Sequence, residues 1–168
     1  LTRNFFRYEE DLYLQTHGHA MGSTFAMSLA GLYIHNMEQQ TILANTNPYR
    51  ANISTWKRYI DDVFVMWKGS EEAALAFVTW LNAQNSHLKF SHAISNNMQV
   101  FLDLEIYAAQ GKFRTITHEK TTARNTLLRY DSFHPCPLRD NLPFGQFLRL
   151  RRNCSNISDY KIQAKALG

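Results

Sequence analysis

The chain has 168 residues, 45% of them hydrophobic and 13% aromatic, with a net charge of +4 at pH 7. That is one domain's worth of core-forming material, and it excludes a disordered polypeptide. The basic bias permits a polyanionic partner, while no apolar run approaches the length of a membrane span and no signal-peptide pattern is present. Two cysteines, Cys136 and Cys154, are too few for a disulfide framework or a four-ligand zinc site, which makes a reducing compartment the default. Leu1-Thr2-Arg3-Asn4 has no look of a natural start, so a piece of a longer polypeptide is expected.

In chain order, Phe5-Phe6-Arg7-Tyr8 and Leu12-Tyr13-Leu14-Gln15 flank Glu9-Glu10-Asp11, which predicts strand, turn and strand. A glycine loop follows, His17-Gly18-His19-Ala20-Met21-Gly22-Ser23. Ala26, Leu29, Ala30, Tyr33 and Met37 then fall at three- and four-residue spacings. They predict a helix from Thr24 to about Gln40 with one buried face and Ser23 as its N-cap. Gly18 and Gly22 have no Cβ, so a nucleotide or template backbone can approach them, and a helix N-terminus favours phosphate. An ordinary glycine loop before a core helix is the competing reading. His17 and His19 lack a third partner and read as polar loop residues rather than metal ligands.

After a polar loop over 41–52, Ile53 to Trp67 predicts a hairpin of β-branched and aromatic strands with Asp61-Asp62 at its turn. Two like charges at the tip of a rigid strand pair repel, and a divalent cation would neutralise them. Paired metals at such a site serve in-line phosphoryl transfer. The competing reading is a solvated turn, since Asp is common there. Asp-Asp is nevertheless an unfavourable choice for a tight hairpin, where Asn-Gly or Asp-Gly supplies the positive φ. Trp56, Lys57 and Arg58 are candidates for nucleic-acid contact, with Trp56 equally a core residue.

Ser70 opens a second helix as N-cap, with Glu71 and Glu72 at the positive end of its dipole. Leu75, Phe77, Val78 and Leu81 form its apolar face, and it ends near Gln84-Asn85-Ser86. Three strands in a meander come next, Leu88–Ser95, Met98–Ala108 and Lys112–Glu119, with turns at Asn96-Asn97 and Gln110-Gly111. Leu102, Leu104 and Ile106 alternate with Asp103, Glu105 and Tyr107, so the two acids read as a polar sheet face rather than an acid–base pair.

From Lys120 onward the character shifts. Between Lys112 and Arg152 the basic residues are opposed only by Glu119, Asp131 and Asp140, and they interleave with Tyr130, Phe133, His134, Phe144 and Phe147. That pattern suits a phosphate backbone or, equally, a solvated positive face. Phe133–Pro137 and Leu142–Gly145 read as turns before short helices. The expected architecture is α+β, an antiparallel sheet with packed helices over 1–119 and a mostly helical part over 120–168.

Several blocks, in one order, resemble the reverse transcriptase of Penelope-like retroelements. They are Gly18-His19-Ala20-Met21-Gly22-Ser23 with Phe25-Ala26, then Arg58-Tyr59-Ile60-Asp61-Asp62 and Lys89-Phe90. Phe101-Leu102-Asp103, Arg124-Asn125, Ser132-Phe133-His134-Pro135 and Arg149-Leu150-Arg151-Arg152 with Cys154-Ser155 follow. The resemblance implies a palm fragment over 1–119, carrying motifs B to E, and the start of a thumb over 120–168. It implies an RNA-directed DNA polymerase that works in the nucleus on an RNA template, a DNA primer and dNTPs. Tyr59, Asp61 and Asp62 would form the catalytic motif C, the two aspartates holding Mg²⁺ or Mn²⁺. Gly18, Met21, Gly22 and Ser23 would meet nucleotide and template, and Lys89 would be a general acid toward pyrophosphate. Phe101, Leu102, Asp103, Lys120, Arg149, Arg151 and Arg152 would contact primer and nucleic acid.

The chain departs from the family at His19, Met27 and Lys120-Thr121-Thr122-Ala123, as a divergent or decayed copy would. No motif A precedes residue 17, and neither fingers nor an endonuclease is recognisable. The resemblance therefore implies a fragment inactive alone that works with the rest of a longer chain. A non-catalytic nucleic-acid-binding module, or a retroelement remnant kept as a scaffold, stays open beside it.

Overall fold

The computed structural model describes residues 4–18, 20, 22–85, 87–109, 111–120 and 128–167. Among these described residues the fold is α+β, with small antiparallel sheets and four α-helices. It divides into two compact units, residues 1–91 and 92–168.

The first unit opens with a hairpin, β1 (Phe5–Tyr8) and β2 (Asp11–Leu14), in which Phe6 stacks on Tyr13 at 5.3 Å. Helix α1 (Ala26–Met37) starts later than expected, and Ser23 does not cap it. The N-cap is Phe25, because the backbone of Ser23 is already in a turn, its carbonyl accepting from the Ala26 amide at 3.1 Å. α1 runs into a π-helical turn, Glu38–Ile42, which buries both of its end residues. The second hairpin is β3 (Ile53–Tyr59) with β4 (Asp62–Trp67), and α2 (Glu71–Gln84) follows. Ser70 caps α2 as expected, its Oγ accepting from the Ala73 amide at 3.3 Å.

One apolar cluster joins α1, the π-helical turn, the second hairpin and α2: Met37, Ile42, Ile53, Phe77 and Leu81 are buried together, and Trp56, Val65 and Trp67 pack on them. Phe77 is the hub, with the Trp67 ring 5.3 Å away and the Trp80 ring at 6.1 Å. Burying Phe77 and Leu81 contributes about 2 kcal/mol each. Leu75, expected on the apolar face, is exposed.

The strand expected over Leu88–Ser95 does not form. The side chain of Asn82 claims that backbone instead: Nδ2 donates to the Phe90 carbonyl (3.0 Å) and Oδ1 accepts from the Phe90 amide (2.7 Å). Groups so occupied are not available to a strand ladder.

The second unit holds a three-stranded meander, β5 (Met98–Phe101), β6 (Leu104–Ala109) and β7 (Lys112–Thr117). The single strand expected over Met98–Ala108 is two strands, because Leu102 takes φ 53 and reverses the chain. Helices α3 (Cys136–Asn153) and α4 (Ile157–Leu167) dock on β7. Thr115 Oγ1 donates to the Asn153 carbonyl (2.7 Å), and Gln163 Nε2 donates to the Thr117 carbonyl (2.8 Å). Arg114 Nε adds a bond to the buried Asp159 at 2.7 Å. Thus β7, before Lys120, and the helices after it lie in the same unit. The turn expected at Leu142–Gly145 is absent, since α3 runs through Pro143, which removes one amide donor without ending the helix. Cys136 and Cys154 are free thiols. Among the described residues no helix is long and apolar enough to cross a membrane.

Candidate metal centre

The β3–β4 register places Tyr59 opposite Asp62, so the two central residues of the turn are Ile60 and Asp61, not Asp61 and Asp62. Ile60 has φ 55 and Asp61 is not left-handed, so only the first of the two central residues is left-handed. Asp62 consequently starts β4, and both carboxylates are exposed at the hairpin tip. A β-branched residue is poorly suited to positive φ. Such strain persists where the surroundings over-determine it.

Arg58 supplies part of that constraint. Its Nη1 donates to the Ile60 carbonyl at 2.9 Å, while Nε donates to Glu38 Oε1 at 2.7 Å and Nη2 to Glu38 Oε2 at 3.3 Å. Glu38 is only 7% exposed and accepts a further bond from Trp56 Nε1 at 2.9 Å. The turn is thereby tied to the π-helical end of α1.

A shallow cleft of about 280 Å³ opens beside the turn, lined by Ile34, Arg58, Ile60, Asp61, Asp62, Val63 and the segment Leu88–Ser91. It is slightly smaller than ordinary ligand pockets, so it suits a hydrated ion better than an engulfed nucleotide. Lys89 shares the cleft, but its ammonium donates to the Asn82 carbonyl at 2.9 Å and pairs with neither aspartate. Carboxylate oxygens are hard donors of the kind Mg²⁺ takes, one or two at a time, with waters and substrate phosphates completing its octahedron. Among the described residues no group of three or more His, Cys, Asp or Glu side chains comes together. The turn therefore offers a two-carboxylate partial site, which fits Mg²⁺ or Mn²⁺.

The other anticipated residues lie elsewhere. Gly18 (φ 74) and Gly22 (φ 92) need glycine for their backbone conformation; at Gly22 an added Cβ would meet nothing within 4 Å. Neither lines the cleft. Ser23 Oγ is buried without a partner among the described residues. Met21, His19 and Arg124-Asn125 lie outside the described residues.

In the second unit, Phe101-Leu102-Asp103 form the β5–β6 turn, and Asp103 Oδ2 accepts from Arg149 Nη2 at 2.8 Å. Arg149 is thus engaged in an intramolecular ion pair, whereas Arg151, Arg152 and Lys120 are exposed and make no ion pair among the described residues. Glu105 accepts from the Tyr107 hydroxyl (2.5 Å) and lies 2.9 Å from His118 Nδ1. These contacts hold its carboxyl below the usual carboxylate range, the Tyr107 bond first, and raise Tyr107 in return. Arg114 likewise holds Asp159 down.

Sequence reasoning missed Glu38, Asn82 and the structural duty of Arg58. The partners are 20 residues apart for Arg58–Glu38, so no local pattern carries them. Compared with known proteins, the chain matches no family model, no curated protein and no solved structure.

Proposed function

We propose that the chain is the palm and early thumb of an RNA-directed DNA polymerase of the Penelope-like retroelement kind, a nucleotidyltransferase. The observation that carries this reading is the pair of adjacent, exposed aspartates on a strained hairpin turn, with Lys89 in the same cleft. Asp61, and less directly Asp62, hold Mg²⁺ or Mn²⁺ there. When bound, such ions stabilise the attacking and leaving oxygens of in-line phosphoryl transfer. Tyr59 flanks the aspartates on the opposite strand, and Lys89 gives a proton to the departing pyrophosphate after leaving the Asn82 carbonyl. Gly18, Met21, Gly22 and Ser23 face nucleotide and template. Leu102, Lys120, Arg151 and Arg152 contact the primer–template backbone in the nucleus, with Phe101, Asp103 and Arg149 shaping that surface. On this reading a motif A aspartate and the fingers would have to be supplied beside these 168 residues, which alone are expected to extend no primer.

A second reading, a nucleic-acid-binding module without catalysis, is favoured by one observation: Arg151 and Arg152 are exposed on α3 and free of ion pairs among the described residues. Primer extension on an RNA template with Mg²⁺ separates the two, using the longer reading frame beside its Asp61→Ala variant. Catalysis predicts extension by the parent and a loss of about a hundredfold or more in the variant, with binding retained. No extension by either, with binding intact at low salt, selects the binding module. Absence of both selects a scaffold remnant.

A further inference from the structure

Arg58 lines the same cleft as Asp61 and Asp62. A cation so placed would ordinarily take a neighbouring carboxylate as its partner. It pairs with neither Asp61 nor Asp62, because its N–H groups are directed elsewhere. Nε and Nη2 grip the two oxygens of Glu38, Nη1 holds the Ile60 carbonyl, and Nη2 makes a longer contact to the Gly31 carbonyl at 3.5 Å. Glu38 is buried and fixed from a second side by Trp56.

We infer that Glu38 and Arg58 form a positioning pair for the Asp61–Asp62 turn. Arg58 locks the left-handed Ile60 peptide from outside the strand ladder. Glu38 takes the guanidinium as its own partner, so neither aspartate is tied up in an ion pair with Arg58. The metal half of this inference rests on the function proposed above; the locking half does not.

The test uses the ¹⁵N-labelled chain with Mn²⁺ as the probe. Backbone order of Ile60, Asp61 and Asp62 is read from amide relaxation, and Mn²⁺ affinity from paramagnetic broadening of the same amides. Arg58→Lys keeps the charge but loses the fork, and Glu38→Gln keeps the shape but exposes the guanidinium charge. Leu81→Val trims the buried core without touching the turn or its Arg58–Glu38 support, and so controls for lost stability.

Arg58→Lys and, to a smaller extent, Glu38→Gln are expected to loosen the three turn amides. Arg58→Lys and Glu38→Gln are each expected to weaken Mn²⁺ binding about tenfold, as supporting contacts of metal ligands do, while Leu81→Val stays within about twofold. Turn amides as ordered in Arg58→Lys and Glu38→Gln as in the parent would overturn the inference. So would Mn²⁺ affinities that follow thermal stability alone across the three variants. If Arg58→Lys fails to fold, Glu38→Gln carries the comparison by itself. A parent that shows no broadening at Asp61 and Asp62 overturns the metal reading, and the relaxation data then decide the locking half on their own.

Discussion

Isoleucine resists a left-handed backbone because its branched Cβ crowds the following carbonyl, at a cost of about 1–2 kcal/mol. Ile60 bears that cost at φ 55 while remaining 49% exposed, so its side chain recovers little by packing. Ile60→Gly is therefore expected to stabilise the first unit by about 1 kcal/mol in urea unfolding, the relief outweighing the entropy of the added glycine. If the strain serves the site, the same variant holds Mn²⁺ less well although it is more stable. The aspartates beside Ile60 were legible in the sequence, because adjacent acids between β-branched runs are conspicuous. The turn itself was misread by one position. Glu9, Ile60 and Leu102 all take positive φ as the first of two central residues, and none is Gly or Asn. A hairpin that turns on Leu102 gives no turn signal, so Met98–Ala108 reads as one strand.

At the scale of elements, periodicity and capping chemistry served well where the segment was self-contained. Helix α2, with its Ser70 cap and acidic first turn, was readable because every determinant lies within its own residues. The segment after α2 was not, since its backbone partner is a side chain of that helix. Helix α3 was divided too early for a related reason. Proline ends most helices by removing a donor and crowding the preceding turn, yet here the bonds on either side of Pro143 carry the helix through. Pro143→Ala should restore an amide able to reach the Arg139 carbonyl and raise the stability of the second unit by about 1–3 kcal/mol. Thermal unfolding followed at residues of α3 measures it; a fall in stability would mean that the proline fits a bend that the second unit needs.

For the whole molecule, α+β architecture followed from the alternation of strand and helix patterns, but the pairing of the C-terminal helices with β7 depends on contacts about 40 residues apart, such as Thr115 with Asn153. Those contacts include groups that titrate. Glu105 and Asp159 are both held below their ordinary values of 4.5 and 3.8, so their contribution is complete above those values and is lost as pH falls through the lower folded ones. Tyr107 is raised above its ordinary 10.0 by the same Glu105 carboxylate, so its contribution is complete below pH 10.0 and is lost as pH rises through the folded value. The second unit should therefore show a stability plateau from about pH 5 to pH 10 with a fall on both sides. Denaturant midpoints across pH, read from amides of residues 92–167, test this. Tyr107→Phe should abolish this group's share of the alkaline fall, and an unchanged profile would remove Glu105–Tyr107 as its source. The Asn82 bracket, lastly, sets a length. Surface connections usually absorb extra residues with little penalty. Here the Asn82 side chain grips both the N–H and the carbonyl of Phe90, so a residue inserted between Asn82 and Phe90 would break the grip or carry Lys89 out of the cleft. That connection should be as intolerant of length variation as a buried strand.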